Sequence, residues 1–202
     1  LCYTPSQLKK QPGFCSAALQ ILHASFGPLA IFFPLGHFPI MSLESVRAFF
    51  AAHASDIEVI VTEDSSATVA LAAAAHDVAP DQIAKTICVR AGEMTALVVM
   101  SGTSRLDNRK FRDRFGAKPR MLGAEEVTAL TGHPVGGVCP FGLASSIPVY
   151  CDLSLRRHAE VLPAAGAINA AVRISPEHMA ELAGGTWVDI SQDPAANGDP
   201  AA

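Results

Sequence analysis

The sequence predicts an α+β fold on a mixed, largely antiparallel sheet. Three observations carry this. Runs rich in β-branched residues alternate with Ala-rich or charged helical stretches. "IAKTICVR" (83–90) and "MTALVVMS" (94–101) are separated only by "AGE", with Gly92 at its centre, which is short enough for a hairpin. No GxGxxG or GxxxxGK[ST] motif and no internal repeat appear, so a regular βαβ nucleotide fold is not expected.

Each element has a local reason. "SLESVRAFFAAH" begins a helix at Ser42, the expected N-cap, with Glu44 in the first turn. "IEVIVT" (57–62) reads as a strand, and the Ala-rich "TVALAAAAHD" as a helix. "PDQ" turns into the hairpin. A basic helix is expected from Arg105 to Gly116, where glycine ends it. "GAEEVTALTG" follows as a helix, with Glu125 and Glu126 near its positive end. In "SIPVYCDL", Pro148 marks an edge strand or a strand's beginning. "AVRI" (171–174) is a further strand. In "SPEHMAELAG", Ser175 caps, Pro176 takes the first helical position and Gly184 stops the helix. "TWVDI" is the last strand, and residues 191–202 read as a disordered tail.

The chain has 202 residues, half of them hydrophobic, which fits one globular domain, or one with an appendage. Residues 1–40 contain no acid and only Lys9 and Lys10 as charges, and prolines break their apolar runs short of a membrane span. The lysines ahead of an apolar run faintly suggest a signal peptide, against the prolines. Met41 is expected to be the natural start, with residues 1–40 a non-native or disordered extension and 41–190 the domain. Five irregularly spaced cysteines without a CxxC argue against a disulfide framework or zinc site, and no metal or cofactor is implied. A reducing cytoplasm is the simplest compartment.

All 19 acids follow Met41, so the core is more negative than the chain's −4 and is no obvious nucleic-acid binder overall. Yet Arg105, Arg109, Lys110, Arg112, Arg114, Lys118 and Arg120 fall within one short stretch. Such a stripe can meet phosphates, or it can be a solvated helix face.

Two places invite chemistry. Lys85 shares strand parity with Ile83, Ile87 and Val89. If these face the core, Lys85 needs a partner or must lose its proton; otherwise it snorkels from a sheet edge. In "TGHPVGGVCPFG" (131–142), Gly136 and Gly137 let a ligand approach the main chain, and Pro140 fixes the bend. Successive amides there could converge on one oxygen, or the segment is a plain surface loop. No GxSxG or triad stands out. The histidines are expected to be solvated, apart from His133 at the loop entrance. Cys139 is expected to line a pocket rather than attack, and Asp107 and Asp152 to be structural.

Together, "PDQIAKTICV", "LDNRKFRDRFGAK" and "TGHPVGGVCPFGL" resemble the YbaK/EbsC family, freestanding relatives of the prolyl-tRNA synthetase editing domain. The likeness spans about Met41 to Ile190. It implies a barrel-like mixed sheet with surrounding helices, and hydrolysis of mischarged aminoacyl-tRNA, with tRNA-Pro carrying a small amino acid as substrate and prolyl-tRNA synthetase as a candidate partner. Lys85 matches the family's strand lysine, Thr86 the position after it, and Gly136 to Pro140 the GxxxP loop. The resemblance implies that Lys85 holds the tRNA 3′ end and that amides of Gly136 and Gly137 bind the ester carbonyl. Thr86, His133, Val138, Cys139, Pro140 and Asn169 would contact substrate, and Arg105, Arg109, Lys110, Arg112 and Lys118 the tRNA. Two positions depart from the cysteine-editing branch: His133 stands where it has Tyr, and Ala171 where it has an acid. Asn169 is similar to other branches. A non-catalytic nucleic-acid binder and a small-molecule pocket protein are the competing classes.

Overall fold

The computed structural model describes residues 42–193. The expectations for residues 1–40 lie outside them. The helices are α1 (Ser42–His53), α2 (Val69–His76), α3 (Asn108–Phe115), α4 (Ala124–Thr131) and α5 (Pro176–Leu182). The strands are β1 (Ile60–Val61), β2 (Ile83–Ala91), β3 (Met94–Ser101), β4 (Arg105–Leu106), β5 (Arg120–Met121), β6 (Val149–Asp152), β7 (Leu162–Pro163), β8 (Ala170–Ala171), β9 (Thr186–Val188) and β10 (Ser191–Gln192).

One mixed sheet runs β5-β2-β3-β6-β9, with β7 also on β2. The β2–β3 hairpin and the β2–β5 pair are antiparallel. The β2–β7, β3–β6 and β6–β9 pairs are parallel. Two small antiparallel pairs, β1–β8 and β4–β10, complete the architecture. Gly92 turns the hairpin with φ +60°, a conformation that costs glycine little.

Alternation along β2 and β3 divides the interior in two. Ala84, Cys88, Leu97 and Val99 pack with α1, α5 and the glycine loop around Phe50 and Phe141. Val89, Val98 and Met100 pack with Phe111 of α3 and with Ile190. A third, small cluster joins Ala72 and Ala73 of α2 to Ile83 and Leu162.

Several boundaries differ from the sequence expectations, each for a tertiary reason. Ser42 is the first helical residue and not a cap, because its hydroxyl donates to the Gly166 carbonyl across the fold. α3 starts after Asp107, whose carboxylate accepts from the amides of Arg109 (2.8 Å) and Lys110 (3.0 Å). Arg105 and Leu106, expected in that helix, form a strand instead because Ser191 and Gln192 pair with them. The domain therefore runs past Ile190, and those two residues are not tail. "IEVIVT" contributes only Ile60 and Val61 to a ladder, and the "AVRI" strand is centred on Ala170–Ala171. Leu162–Pro163 was not expected as a strand. Asp152 acts as a structural hub: its carboxylate accepts from the amides of Ser154 and Ile190 (both 2.9 Å) and from the Ser191 hydroxyl (2.5 Å).

Candidate active site

The start of β2, the α2 helix, the glycine loop and the β7–β8 segment surround one cavity of about 170 Å³. Lys85, Thr86, Gly136 and Val138 all line it. Most of the remaining wall is small and apolar, including Val69, Ala72, Ala84, Leu162, Ala170 and Ala171.

Lys85 is half-buried. Its ammonium donates to the carbonyls of Gly102 (2.9 Å) and Ser104, in the turn after β3. Neither partner is a carboxylate, so its charge is solvated by dipoles but not cancelled. Burial, reinforced by the nearby Arg105 guanidinium, pulls its pKa below the usual lysine range. An ammonium has three N–H donors, so two carbonyls leave one for a ligand. This answers the parity question: the lysine is neither buried without partners nor snorkelling.

The glycine loop has two sides. Its entrance is fixed by Thr131, whose hydroxyl donates to Val127 O (2.7 Å) and accepts from the His133 amide (3.0 Å). Gly136 and Gly137 then pass between two other loops. A Cβ on Gly136 would sit 2.9 Å from the Ala67 Cβ, and the residue's φ is +91°. A Cβ on Gly137 would lie 2.7–2.9 Å from the Ala167 main chain. Both positions thus need glycine for close approach of protein to protein. The Gly137 amide donates to Pro134 O (2.9 Å) and its carbonyl accepts from Gly166 N (3.0 Å). It is therefore spent inside the fold, contrary to the expectation that it binds substrate. The amides of Gly136 and Val138 have no hydrogen-bond partner among the described residues.

Other expected contacts lie elsewhere. His133 is fully buried outside the cavity, where its Nδ1 accepts from the Cys139 amide (3.4 Å). Burial lowers its pKa, so it is a neutral internal strut. Cys139 is also fully buried, and burial pushes its thiol up to about 12. Pro140 borders a separate depression beside Phe49 and Leu182. Asn169 staples its loop to the chain before α2: its side-chain amide donates to Thr62 O (2.9 Å), and its carbonyl accepts from Thr62 N (2.9 Å). It supports the cavity wall without lining it.

The basic stretch also divides. Arg105, Arg109, Arg112 and Lys118 are exposed, and Arg105 stands close enough to Lys85 to influence its ionisation. Lys110 instead clasps Asp189 (2.7 Å) and Ser191 O (2.9 Å), which commits it to holding β10.

One cavity residue was not anticipated. His76, expected to be solvated, is buried on the cavity wall. The signal was its spacing: in a helix capped by Thr68, His76 falls on the same face as Ala72 and Ala73.

The described site is therefore a small, largely apolar chamber with the half-buried Lys85, bound only to carbonyls, and the loop residues Gly136 and Val138 on its wall. Comparisons with known proteins define the class of protein that carries it. The model of the aminoacyl-tRNA editing domain family matches residues 63–182. YwhH of Bacillus subtilis, itself uncharacterised, is 43% identical over 155 residues, covering 76% of this chain and 99% of its own. EbsC of Enterococcus faecalis, named as a candidate Cys-tRNA(Pro)/Cys-tRNA(Cys) deacylase, is 28% identical over 113 residues (54% of this chain, 68% of that protein). A crystal structure described as a candidate trans-editing enzyme for prolyl-tRNA synthetase superposes with a TM-score of 0.70 at 30% identity, covering 75% of this chain and 97% of that one. The chain belongs to the aminoacyl-tRNA editing family, in its YbaK/EbsC group, and its class of activity is aminoacyl-tRNA deacylation. Among the described residues, no helix is long and apolar enough to cross a membrane.

Proposed function

We propose that the chain edits in trans in the cytoplasm, hydrolysing tRNA-Pro that carries a small amino acid instead of proline, and that it serves prolyl-tRNA synthetase in this way. The observation that carries the reading is the shared cavity of Lys85, Gly136 and Val138. Lys85 offers its remaining N–H and its net charge to the phosphate or terminal nucleotide at the tRNA 3′ end. The ester is thereby held still, which is a proximity effect. The amides of Gly136 and Val138 face the carbonyl oxygen. That oxygen gains negative charge as the ester is attacked, and one such donor is typically worth ~3 kcal/mol in the transition state.

The attacking oxygen comes from water, or from a hydroxyl of the substrate that later passes the acyl group to water. The bond between acyl carbon and ribose oxygen breaks, and the proton released by the attacking oxygen goes to the departing ribose oxygen, which leaves as a hydroxyl. Cys139, protonated and sealed in the loop, takes no part. The small apolar wall sets an upper limit on the amino acid. That suits proofreading, because a synthetase rejects a residue one methylene smaller by only ~1–3 kcal/mol.

The test is release of amino acid from a panel of charged tRNAs by substoichiometric protein. Multiple turnovers on a tRNA-Pro ester support the reading. Tight, salt-dependent tRNA binding without turnover would assign the chain to non-catalytic binding instead.

A further inference from the structure

The cavity wall carries two polar atoms that nothing in the described chain satisfies. His76 is only 7% exposed, and its Nε2 is buried without a hydrogen-bond partner among the described residues. Thr86 Oγ1, on the residue after Lys85, is in the same condition. Both residues line the same chamber, among small apolar neighbours. Buried polar groups are nearly always paired. His133 Nε2 and His158 Nε2 also lack a hydrogen-bond partner among the described residues, but they lie off this cavity. His76 and Thr86 instead share one chamber, with room for a ligand that could pair both. The imidazole is neutral near pH 7, because burial and the Arg173 guanidinium hold its pKa below the ordinary value. That guanidinium donates to the His76 carbonyl (2.9 Å) and so belongs to the fixed structure. A neutral imidazole offers one donor and one acceptor nitrogen, and a hydroxyl can answer either.

We propose that His76, assisted by Thr86, is a specificity residue that reads a hydroxyl on the amino-acid side chain, so that the cavity prefers serine to alanine. The inference rests on the deacylase reading above. Seryl and alanyl esters differ by one oxygen atom, so apolar walls alone would barely separate them. A site with buried polar groups does separate them, because the analogue lacking the hydroxyl leaves those groups unpaired.

The experiment uses the full chain and tRNA-Pro charged with serine or with alanine. The expected kcat/KM for the seryl ester exceeds that for the alanyl ester by about tenfold or more. His76→Leu, which keeps apolar bulk and removes both nitrogens, brings the seryl-to-alanyl ratio close to one. Thr86→Val, nearly isosteric, lowers the same ratio by a smaller factor and serves if the histidine variant does not fold by circular dichroism. His76→Gln, which retains a hydrogen-bonding group, keeps part of the preference. A wild-type protein that favours the alanyl ester overturns this inference and leaves the deacylase reading standing. So do variants that slow both esters equally. If neither these esters nor any other in the charged-tRNA panel is hydrolysed, the deacylase reading itself fails and takes the inference with it.

Discussion

Lys85 and Lys110 are both gripped by main-chain carbonyls, yet they lie in regions built to opposite ends. Lys110 joins α3 to β10 through Asp189 and the Ser191 carbonyl. Its charge is matched by a carboxylate, and that hydrogen bond raises its pKa. Lys85 meets only the carbonyls of Gly102 and Ser104, with Arg105 nearby and no acid bonded to it, and its pKa is lowered by burial first and by that arginine second. A lysine answered by a carboxylate is a clasp. A lysine answered only by dipoles keeps a net charge, which is what the proposed grip on the tRNA 3′ end requires. The sequence gives both the same residue type, and only their partners separate structure from function.

The largest effect is expected where the space beyond Lys85 is closed while both grips remain. Gly136→Val adds a side chain at φ +91° into contact with Ala67. It should reduce deacylation to roughly a hundredth or less, because both the cavity and the amide are disturbed. Turnover close to wild type in that variant would separate Lys85 from the chemistry and collapse the contrast. Lys85→Ala comes next. It should lower kcat/KM at least about tenfold with the fold retained by circular dichroism, since positioning of the 3′ end is lost. Unchanged turnover would remove Lys85 from the site.

How much of this was legible beforehand depends on whether the cause was local. The β2–β3 hairpin was readable because Gly92 and two β-branched runs act within twenty residues. Helix ends at Gly116 and Gly132 were readable for the same reason. The two-residue strands were not, because Arg105 is extended only when Ser191 and Gln192, far along the chain, pair beside it. The glycine loop was half legible. Its unusual composition was visible, but two glycines that looked like a ligand cradle also serve to slip between Ala67 and Ala167. His133 and Cys139 were expected to line the substrate pocket, and both turn inward, away from the cavity. His76 was only half legible: its spacing from Ala72 and Ala73 puts the three on one face, but in a run apolar at nearly every position nothing local says that this face is the buried one.

Smaller effects sharpen the contrast at the protein surface. Arg109 and Arg112 are exposed on α3, and Arg109 meets Asp113 only at 3.9 Å. If the stripe beyond Lys85 meets the tRNA backbone, changing both to Glu should raise KM several-fold. It should also flatten the salt dependence of tRNA binding by about two phosphate contacts, each worth roughly one unit of slope. A salt slope equal to that of wild type would make α3 a solvated face.

The smallest effect tests the two lysines directly, through stability and pH. Removing the Lys110 clasp with Lys110→Met should cost about 0.5–1 kcal/mol, since the pair is largely exposed. Because the folded pKa of Lys110 is raised above 10.5, that contribution is fully present below pH 10.5 and disappears as pH rises through the folded value. Lys85 has the opposite sign. Its folded pKa lies below 10.5, so its ionisation opposes folding at neutral pH, and the opposition fades as pH climbs from the folded value towards 10.5. Denaturant unfolding of wild type against each methionine variant, from about pH 7 to pH 10, isolates the two lysines from the other titrating groups. Wild type should gain on Lys85→Met with rising pH, while its margin over Lys110→Met holds steady or shrinks. If both margins moved in the same direction, the two ammonium groups would be doing the same job, and Lys85 would be another clasp.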